Sequence, residues 1–259
     1  MTAPPIDPED VVRAASGSDD LATLDAAVTG CRACPRLVAW RERIAVEKRA
    51  AFRDETYWGR PVPGFGPADA RLLVVGLAPA AHGANRTGRM FTGDRSGDVL
   101  FAAMHEAGLA TRSVAVARGD GLELLGARLA APVRCAPPAN KPTPTERDTC
   151  RPWLARELAL LRPTVRAVVV LGAFGWQALL PVLAEPDPAG THGGWVVPRP
   201  RPRFGHGARV RLEPRTTGAP LEVLGCYHVS QQNTFTSRLT PAMVVDVLRH
   251  AAVAAGLAE

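Results

Sequence analysis

Three short apolar runs, at residues 71–76, 166–172 and 221–228, stand out in the pattern of hydrophobic and polar positions. The first two are rich in Leu and Val and end in glycine, which is typical of buried parallel strands. A fourth strand is predicted within residues 127–134. The segments before, between and after these strands predict helices over 8–30 (with polar breaks), 36–52, from Ser96 or Asp98 to 107, 145–161, 173–183 and 240–256. Strands that alternate with helices predict one α/β domain, with a mostly parallel central sheet flanked by helices.

Two segments depart from this alternation. Residues 1–30 are interpreted as an N-terminal helical extension, and residues 185–220 as an insertion rich in Arg and Pro within a single domain that spans 1–259. The insertion alternates proline and arginine over 198–203. It is either a solvated surface loop or hairpin, or an arm that contacts phosphate groups, because proline stiffens the chain and arginine binds phosphate bidentately.

Composition limits the class of protein. Of the 259 residues 46% are hydrophobic, and no apolar run approaches the length of a membrane span. The first residues lack the basic and apolar segments of a secretory signal, so a cytoplasmic protein is expected. The net charge is +6 and Arg greatly outnumbers Lys, which reflects either a GC-rich coding sequence or a polyanionic partner.

Four of the five cysteines are candidate metal ligands. Cys31 and Cys34 form a C-x-x-C pair, and Cys135 and Cys150 follow much later with fourteen residues between them. Four thiolates suit either tetrahedral zinc or a [4Fe–4S] cluster, and unligated core cysteines are the third possibility. Cys226 lies within a predicted strand and is expected to be a small buried side chain.

The loop at residues 76–94 follows the first predicted strand, where α/β folds place their ligands. It is rich in glycine, which allows a backbone to approach a ligand closely. It matches neither the P-loop pattern nor the dinucleotide-binding fingerprint.

This loop resembles the first motif of the family-5, or type B, uracil-DNA glycosylases. Residues 133–142 resemble the family's cysteine and Pro-Pro-x-Asn segment, and residues 228–236 resemble its C-terminal histidine motif. Order and spacing agree from about Cys31 to the last helix. The resemblance implies a DNA-repair enzyme that excises uracil from DNA, with a [4Fe–4S] cluster held by Cys31, Cys34, Cys135 and Cys150.

The resemblance also implies roles for polar residues. Asp94 would orient water or stabilise the positive charge that develops on the sugar, with Asn140 as a second residue that holds the water. His228 would donate a hydrogen bond to the oxygen of the leaving base. The competing interpretations are a helix start for Asp94, a turn for Asn140 and a surface histidine for His228. His82 is either catalytic or only shapes its loop.

The base pocket implied by the resemblance contains a stacking aromatic residue, Phe91, whose alternative role is core packing. Ala131 stands where sister enzymes dedicated to uracil place a base-reading asparagine, so hypoxanthine and other deaminated bases are expected to fit as well. Leu77 and Ala78, after Gly76, replace the polar catalytic residue of sister families. The remaining DNA contacts are expected from four residues: Arg86, Gln231, Gln232 and Asn233.

Three rival functions remain at this point. They are a non-catalytic iron–sulfur protein that binds DNA, a strictly uracil-specific sister enzyme, and a zinc hydrolase unrelated to DNA. The residues Asp94, Asn140 and His228 argue against the first, and Leu77, Ala78 and Ala131 argue against the second. The expected partner is DNA that contains deaminated bases, with no membrane association, and the expected state is a monomer.

Overall fold

A five-stranded sheet forms the centre of the protein, whose computed structural model describes residues 4–186 and 193–259. The spatial order of its strands is β2-β1-β3-β5-β4. The strands are β1 (Leu72–Val75), β2 (Ala127–Ala130), β3 (Ala167–Leu171), β4 (Arg209–Leu212) and β5 (Leu221–Cys226). β2, β1, β3 and β5 are parallel, and β4 pairs with β5 in the antiparallel direction. The predicted α/β architecture is confirmed.

The α-helices within the described residues are α1 (Pro8–Ser16), α2 (Leu21–Gly30), α3 (Pro35–Glu47), α4 (Ala84–Thr87), α5 (Arg95–Glu106), α6 (Pro144–Leu161), α7 (Ala173–Ala184), α8 (Gln231–Phe235) and α9 (Pro241–Ala254). Short 3₁₀ helices lie at Ala50–Phe52 and Pro138–Asn140. None of the helices in this part of the chain is both long and apolar enough to cross a lipid bilayer.

The two faces of the sheet are buried by different helices. In β1, Leu72 and Val74 pack into a core with α5 and α9, whereas Leu73 and Val75 pack into a second core with α1, α2, α6 and α7. Side chains of successive strand residues point to opposite faces, so an uninterrupted apolar run fits a strand that is covered on both sides. This is why the apolar runs of the sequence predicted the strands.

The structure corrects several sequence-based boundaries. The helix predicted over 36–52 ends at Glu47, whereas β2 lies within the predicted range 127–134. The expected N-terminal extension is part of the main core, because Val11 and Leu24 are buried in the same cluster as α6. Residues 1–3 and 187–192 lie outside the described residues.

The remainder of the predicted Arg/Pro-rich insertion contains strand β4, for which the sequence offered only a surface hairpin as one of its alternatives. Its Arg209 pairs with Leu224 and its Leu212 with Leu221 of β5. At the other side of the sheet, Phe65 exchanges two backbone hydrogen bonds with Leu129 of β2, at 3.0 and 2.7 Å. The sheet therefore ends on one side at β4 and on the other at a loop that covers β2.

A buried ion network joins the N-terminal helices to the sheet. Glu157 on α6 accepts a hydrogen bond from Arg128 Nε at 2.6 Å and forms a second ion pair with Arg134. Arg128 also binds Asp25 on α2 at 2.7 Å. Glu157, Arg128 and Arg134 are almost entirely buried, so each charge depends on its partners.

Candidate active site

Three of the residues predicted for base excision follow the ends of parallel strands: Gly76, Ala131 and His228. Gly76 follows β1, Ala131 follows β2 and Gly172 follows β3, while His228 comes two residues after β5. Because carboxyl ends of parallel strands face the same side of a sheet, the loops that follow them form one site.

Phe91 lies against the backbone of the first strand's glycine. A Cβ at Gly76 would come within 2.5 Å of Phe91 Cζ, so only glycine leaves room for this ring. The ring is partly exposed, and the backbone of Phe91 has φ +53°, a left-handed conformation that is unfavourable for a bulky residue. Such strain is typical of residues that bind a ligand. The predicted stacking role fits this geometry, although Phe91 also packs against the core.

Asp94 is the N-cap of α5. Its Oδ1 accepts a hydrogen bond from the backbone N–H of Gly97 at 3.0 Å, which is the helix-start role considered from the sequence. Its other oxygen, Oδ2, lies against the α-carbon of Gly83. Burial raises the pKa of the Asp94 carboxyl. Oδ1 is therefore used in capping the helix, and Oδ2 faces Gly83.

His228 is the second titratable group of the site. Its side chain packs on Gly172, where an added Cβ would lie 3.1 Å from the Cβ of His228. Burial lowers the pKa of His228 to about 4, so the imidazole is neutral at pH 7. A neutral imidazole carries one N–H donor. The side chain of Asn233 holds the adjacent backbone by donating to the carbonyl of His228 at 2.8 Å.

Asn140 lies on an exposed turn. It ends the 3₁₀ helix after Ala139, and both residues have left-handed backbones with φ of 56° and 52°. This is the turn conformation considered from the sequence, and asparagine tolerates it well. Its amide makes no side-chain hydrogen bond with any described residue. Its role in holding water stays a prediction.

His82 braces the loop of residues 76–94. Its Nδ1 is hydrogen-bonded to Tyr57 Oη at 3.0 Å, and the two rings meet edge to face. Burial, together with nearby Arg49 and Arg86, lowers the pKa of His82. Of the two roles considered from the sequence, this geometry favours the one in shaping the loop.

Arg86 was predicted to contact DNA, and the structure shows it bound to its own loop. Its Nε donates to the His82 carbonyl at 2.8 Å and its Nη2 to the Gly93 carbonyl at 3.1 Å. It also forms an ion pair with Glu55 and lies 3.9 Å over the ring of Phe52. The side chain is only 10% exposed. Its guanidinium group therefore helps to hold the loop, and the expected DNA contact stays a prediction.

Helix α8 replaces the loop tip that was expected after His228. Gln231 and Gln232 are exposed there, so both remain available to a ligand, whereas Asn233 supports His228. The sequence analysis did not single out Phe235 at the end of this helix. Its ring is 68% exposed, with the guanidinium group of Arg95 5.6 Å away.

The four predicted ligand cysteines line one small cavity. Cys31 follows α2, Cys34 is the N-cap residue of α3, Cys135 lies in the loop after β2, and Cys150 lies in α6. None of them forms a disulfide. Burial raises the thiol pKa of Cys34 to about 12 and that of Cys135 to about 11. Cys226, in contrast, is fully buried within strand β5, as predicted.

The four thiols form a donor set suited to a thiolate-bound metal centre. Across residues 4–186 and 193–259, no three His, Cys, Asp or Glu side chains are arranged to hold a single ion. Zinc would require four sulfurs within about 2.3 Å of one point. In a [4Fe–4S] cluster each thiolate binds a different iron, so the sulfurs lie farther apart. Two N–H groups also point at sulfur: Arg41 Nη1 lies 2.9 Å from Cys135 Sγ, and the backbone of Arg134 lies 3.4 Å from Cys150 Sγ. Four thiols that share one cavity and accept N–H groups fit a [4Fe–4S] cluster.

The cysteine cavity and the base loop touch each other. Ala78, predicted to line the base pocket, packs in one small apolar cluster with Cys34 and Cys135. Asn85, which follows in the same loop, donates to the backbone carbonyl of Arg41 at 3.3 Å. Leu77 is partly exposed, and Ala131 is buried. The packing of the loop thus depends on the segment that carries the cysteines.

A family model and the most similar known proteins place the chain in the same family. Residues 63–252 match the family model described as the uracil DNA glycosylase superfamily. The chain is 55% identical over 243 residues to the type-5 uracil-DNA glycosylase of Mycobacterium tuberculosis, which covers 94% of this chain and 85% of that protein. It is 50% identical over 230 residues to the type-5 enzyme of Thermus thermophilus, covering 89% and 96% of the two chains. A type-4 enzyme of Pyrobaculum aerophilum is 30% identical over only half of this chain. The chain therefore belongs to the uracil DNA glycosylase superfamily and, within it, to the type-5 uracil-DNA glycosylases.

Proposed function

We propose that this protein excises uracil from DNA by hydrolysing the bond between the base and deoxyribose, which leaves an abasic site. The observation that carries the proposal is the pairing of chemistry at one end of the sheet: a half-buried carboxylate, Asp94, and a half-buried neutral imidazole, His228. The type-5 relatives support the same activity.

The target base lies inside a duplex, so it must leave the stack before these groups can reach it, at a cost of a few kcal/mol. The aromatic ring of Phe91 offers a flat surface on which the extruded base can stack. The strained backbone that presents this ring, and the bare α-carbon of Gly76 behind it, support that role. The exposed side chains of Gln231, Gln232 and Phe235 lie on the helix that follows His228 and are proposed to face the DNA.

On the sugar side, positive charge develops at C1′ as the bond to the base breaks. The Asp94 carboxylate stabilises this charge and accepts a proton from the attacking water, whose oxygen forms the new bond to C1′. Its raised pKa makes the carboxylate a better proton acceptor than an exposed aspartate. Asn140 is proposed to help hold this water.

On the base side, the electron pair of the broken bond leaves with the base as an anion. His228 donates its single N–H to the base oxygen as this negative charge grows. The low pKa of His228 means that it acts as a neutral donor at pH 7 rather than as an imidazolium acid.

We also propose that bases other than uracil are excised, hypoxanthine among them. At the end of β2 the side chain of Ala131 is a methyl group, and a methyl group cannot read the hydrogen-bonding edge of a base. Hydrogen-bonding sites reject analogues far more strongly than apolar ones do. A strictly uracil-specific enzyme is the alternative outcome.

A [4Fe–4S] cluster held by Cys31, Cys34, Cys135 and Cys150 completes the proposal. Support comes from the shared cavity of these cysteines and from the N–H groups directed at sulfur. When bound, the cluster would tie α2 and α3 to α6 and to the loop after β2, as a structural crosslink.

Duplex oligonucleotides that carry uracil, hypoxanthine or no lesion test the proposed activity. After incubation with the anaerobically purified protein, alkali cleaves any abasic site, and the products are separated on a gel. We expect cleavage at uracil and at hypoxanthine but not in the undamaged duplex. Cleavage at uracil alone would identify a uracil-specific enzyme, and no cleavage would leave the non-catalytic DNA-binding protein.

A further inference from the structure

Residues 199–203, here called the basic arm, are held at the end of the sheet where the proposed active site lies. The segment that follows the arm pairs with the end of β5: Gly207 donates its backbone N–H to the carbonyl of Gly225 at 2.8 Å. The ring of His206 accepts from the backbone N–H of Tyr227 at 3.3 Å. The next residue along the chain is His228, so the arm lies beside the site.

The arm is also fixed by its own contacts. Trp176, near the start of α7, donates its indole N–H to the carbonyl of Pro202 at 2.8 Å. Phe204 meets the ring of Trp176 edge to face, with ring centres 5.9 Å apart, and lies 6.3 Å from the ring of Tyr227. Proline residues at 200 and 202 restrict the backbone further. The arm is therefore a preorganised surface element.

The charges of the arm are free. Arg199, Arg201 and Arg203 are all exposed, and within residues 4–186 and 193–259 no acidic group forms an ion pair with any of them. Nearby arginines differ in this respect. Arg211 on β4 binds Glu213 at 3.1 Å, and Arg151 on α6 binds Asp148 at 3.2 Å.

Three uncompensated guanidinium groups on a fixed element beside the site suit a row of phosphates. Arginine binds phosphate bidentately, and contacts to the backbone of DNA position a protein on the duplex without reading its sequence. A preorganised arm loses little conformational entropy on binding. We infer that the basic arm binds phosphates of the DNA strand next to the flipped nucleotide and sets the position of the duplex over the site. This inference rests on the proposed function and deepens it.

Salt dependence of DNA binding tests the inference. The arm variant replaces Arg199, Arg201 and Arg203 with glutamine. The control variant replaces Arg71, Arg166 and Arg249 with glutamine, so both variants lose three positive charges. Arg71 and Arg166 directly precede β1 and β3, at the end of the sheet opposite the site. Binding of each to an undamaged 20-base-pair duplex is measured at several salt concentrations. Each lost phosphate contact lowers the log–log salt slope by about 0.9.

We expect the slope of the arm variant to fall by about 2 to 3, with affinity at least about 10-fold weaker at low salt, whereas the control stays close to the unmodified protein. Replacing the same three residues with lysine should restore most of the slope, since lysine keeps the charge. Equal slopes in the arm and control variants would overturn the inference. So would a lysine variant as weak as the glutamine variant, because the loss would then come from structure rather than charge.

Single-turnover excision on a uracil duplex separates binding from chemistry. In the arm variant the enzyme concentration that gives half the maximal rate should rise about 10-fold, and the maximal rate should stay within about 2-fold. A lower maximal rate with unchanged half-saturation would contradict the inference. If the unmodified protein excises nothing, the proposed function fails, yet the comparison of salt slopes still decides whether the arm binds DNA.

Discussion

The carboxylate of Asp94 lies so close to the α-carbon of Gly83 that a methyl group at residue 83 would overlap Oδ2. The position of the proposed catalytic oxygen is therefore set by the missing side chain of a residue eleven positions earlier. We expect Gly83→Ala to push the carboxylate aside and to slow excision about 100-fold, as misplacement of a catalytic group by about 1 Å does. Gly30→Ala is the control, because the nearest atom to its new Cβ is 3.9 Å away. Equal single-turnover rates for the two variants would contradict this role of Gly83.

Asp94→Asn separates the cap of α5 from the charge of the carboxylate. Asparagine is as good an N-cap as aspartate, so the free energy of unfolding should change by less than about 1 kcal/mol. The loss of charge should slow excision by about 100- to 1000-fold, with DNA affinity preserved. The matched control is Asp20→Asn, since Asp20 caps α2 by accepting from Thr23 N–H at 2.7 Å. Near-normal excision by Asp94→Asn would require another group to position the water.

His228 should leave no mark on the pH dependence of excision between pH 6 and 8. Its pKa of about 4 keeps the imidazole neutral throughout that range. The maximal single-turnover rate on uracil is the quantity to measure. The prediction would be contradicted if the rate fell at acidic pH with a midpoint near 6.5 and this fall were absent from His228→Gln. His228 would then titrate like an exposed histidine, and its protonated form would be inactive.

The same low pKa links His228 to stability. The folded protein holds the proton less tightly than the unfolded chain, whose histidine titrates near 6.5. The contribution of the neutral His228 side chain to the free energy of unfolding is therefore fully present above pH 6.5. It is lost as the pH falls to about 4, by a total of about 3 kcal/mol. Urea unfolding at pH 7.5 and 4.5 should show a smaller acid-induced loss for His228→Gln than for the unmodified protein. His250→Gln, at an exposed position on α9, should behave like the unmodified protein.

The proposed cluster predicts that the iron content of the protein depends on four of its cysteines. Changing any one of Cys31, Cys34, Cys135 or Cys150 to serine should lower iron and sulfide after anaerobic purification and lower the unfolding temperature, because metal binding contributes to folding. Cys226→Ala removes a thiol that lies in the core away from the cavity, so it should keep the iron. A protein that contains zinc and no iron would refute the proposed cluster.

The buried ion network around Glu157 predicts a large loss of stability when that one carboxylate is neutralised. Glu157→Gln leaves the buried guanidinium group of Arg134 without a countercharge and leaves Arg128 with Asp25 alone, which should destabilise the fold by about 3–5 kcal/mol. Glu106→Gln removes the exposed ion pair with Arg249 and should cost less than about 1 kcal/mol. Urea denaturation of both variants measures the difference. Similar costs would mean that water or other groups compensate the buried arginines.

Local patterns were sufficient to predict most of the fold. The runs that form β1 and β3 are buried on both faces, so their continuous apolar character predicted them. Strand β4 could not be distinguished from a surface loop because Leu212 is its only fully buried residue, and its strand conformation comes from pairing with β5. Helix α8 was missed because its residues are short of apolar side chains.

Contacts between distant segments account for what the sequence could not predict about the site. Arginine in a glycine-rich loop is typical of phosphate binding, and nothing in the loop itself showed that Arg86 would meet Glu55 and Phe52. For the same reason the sequence could not show which arginines of the Arg/Pro-rich segment form ion pairs and which do not. The structure separates the free arginines of the basic arm from Arg211, which is paired with Glu213.

The way the sheet ends has a consequence for behaviour at high concentration. On one side Phe65 occupies backbone groups of Leu129 that a strand of another molecule would need. On the other side β4 is only four residues long and carries the charged side chains of Arg209 and Arg211. Short, charged or covered margins discourage intermolecular strand pairing. The folded protein should therefore resist aggregation through intermolecular β-sheet formation, both free and bound to DNA.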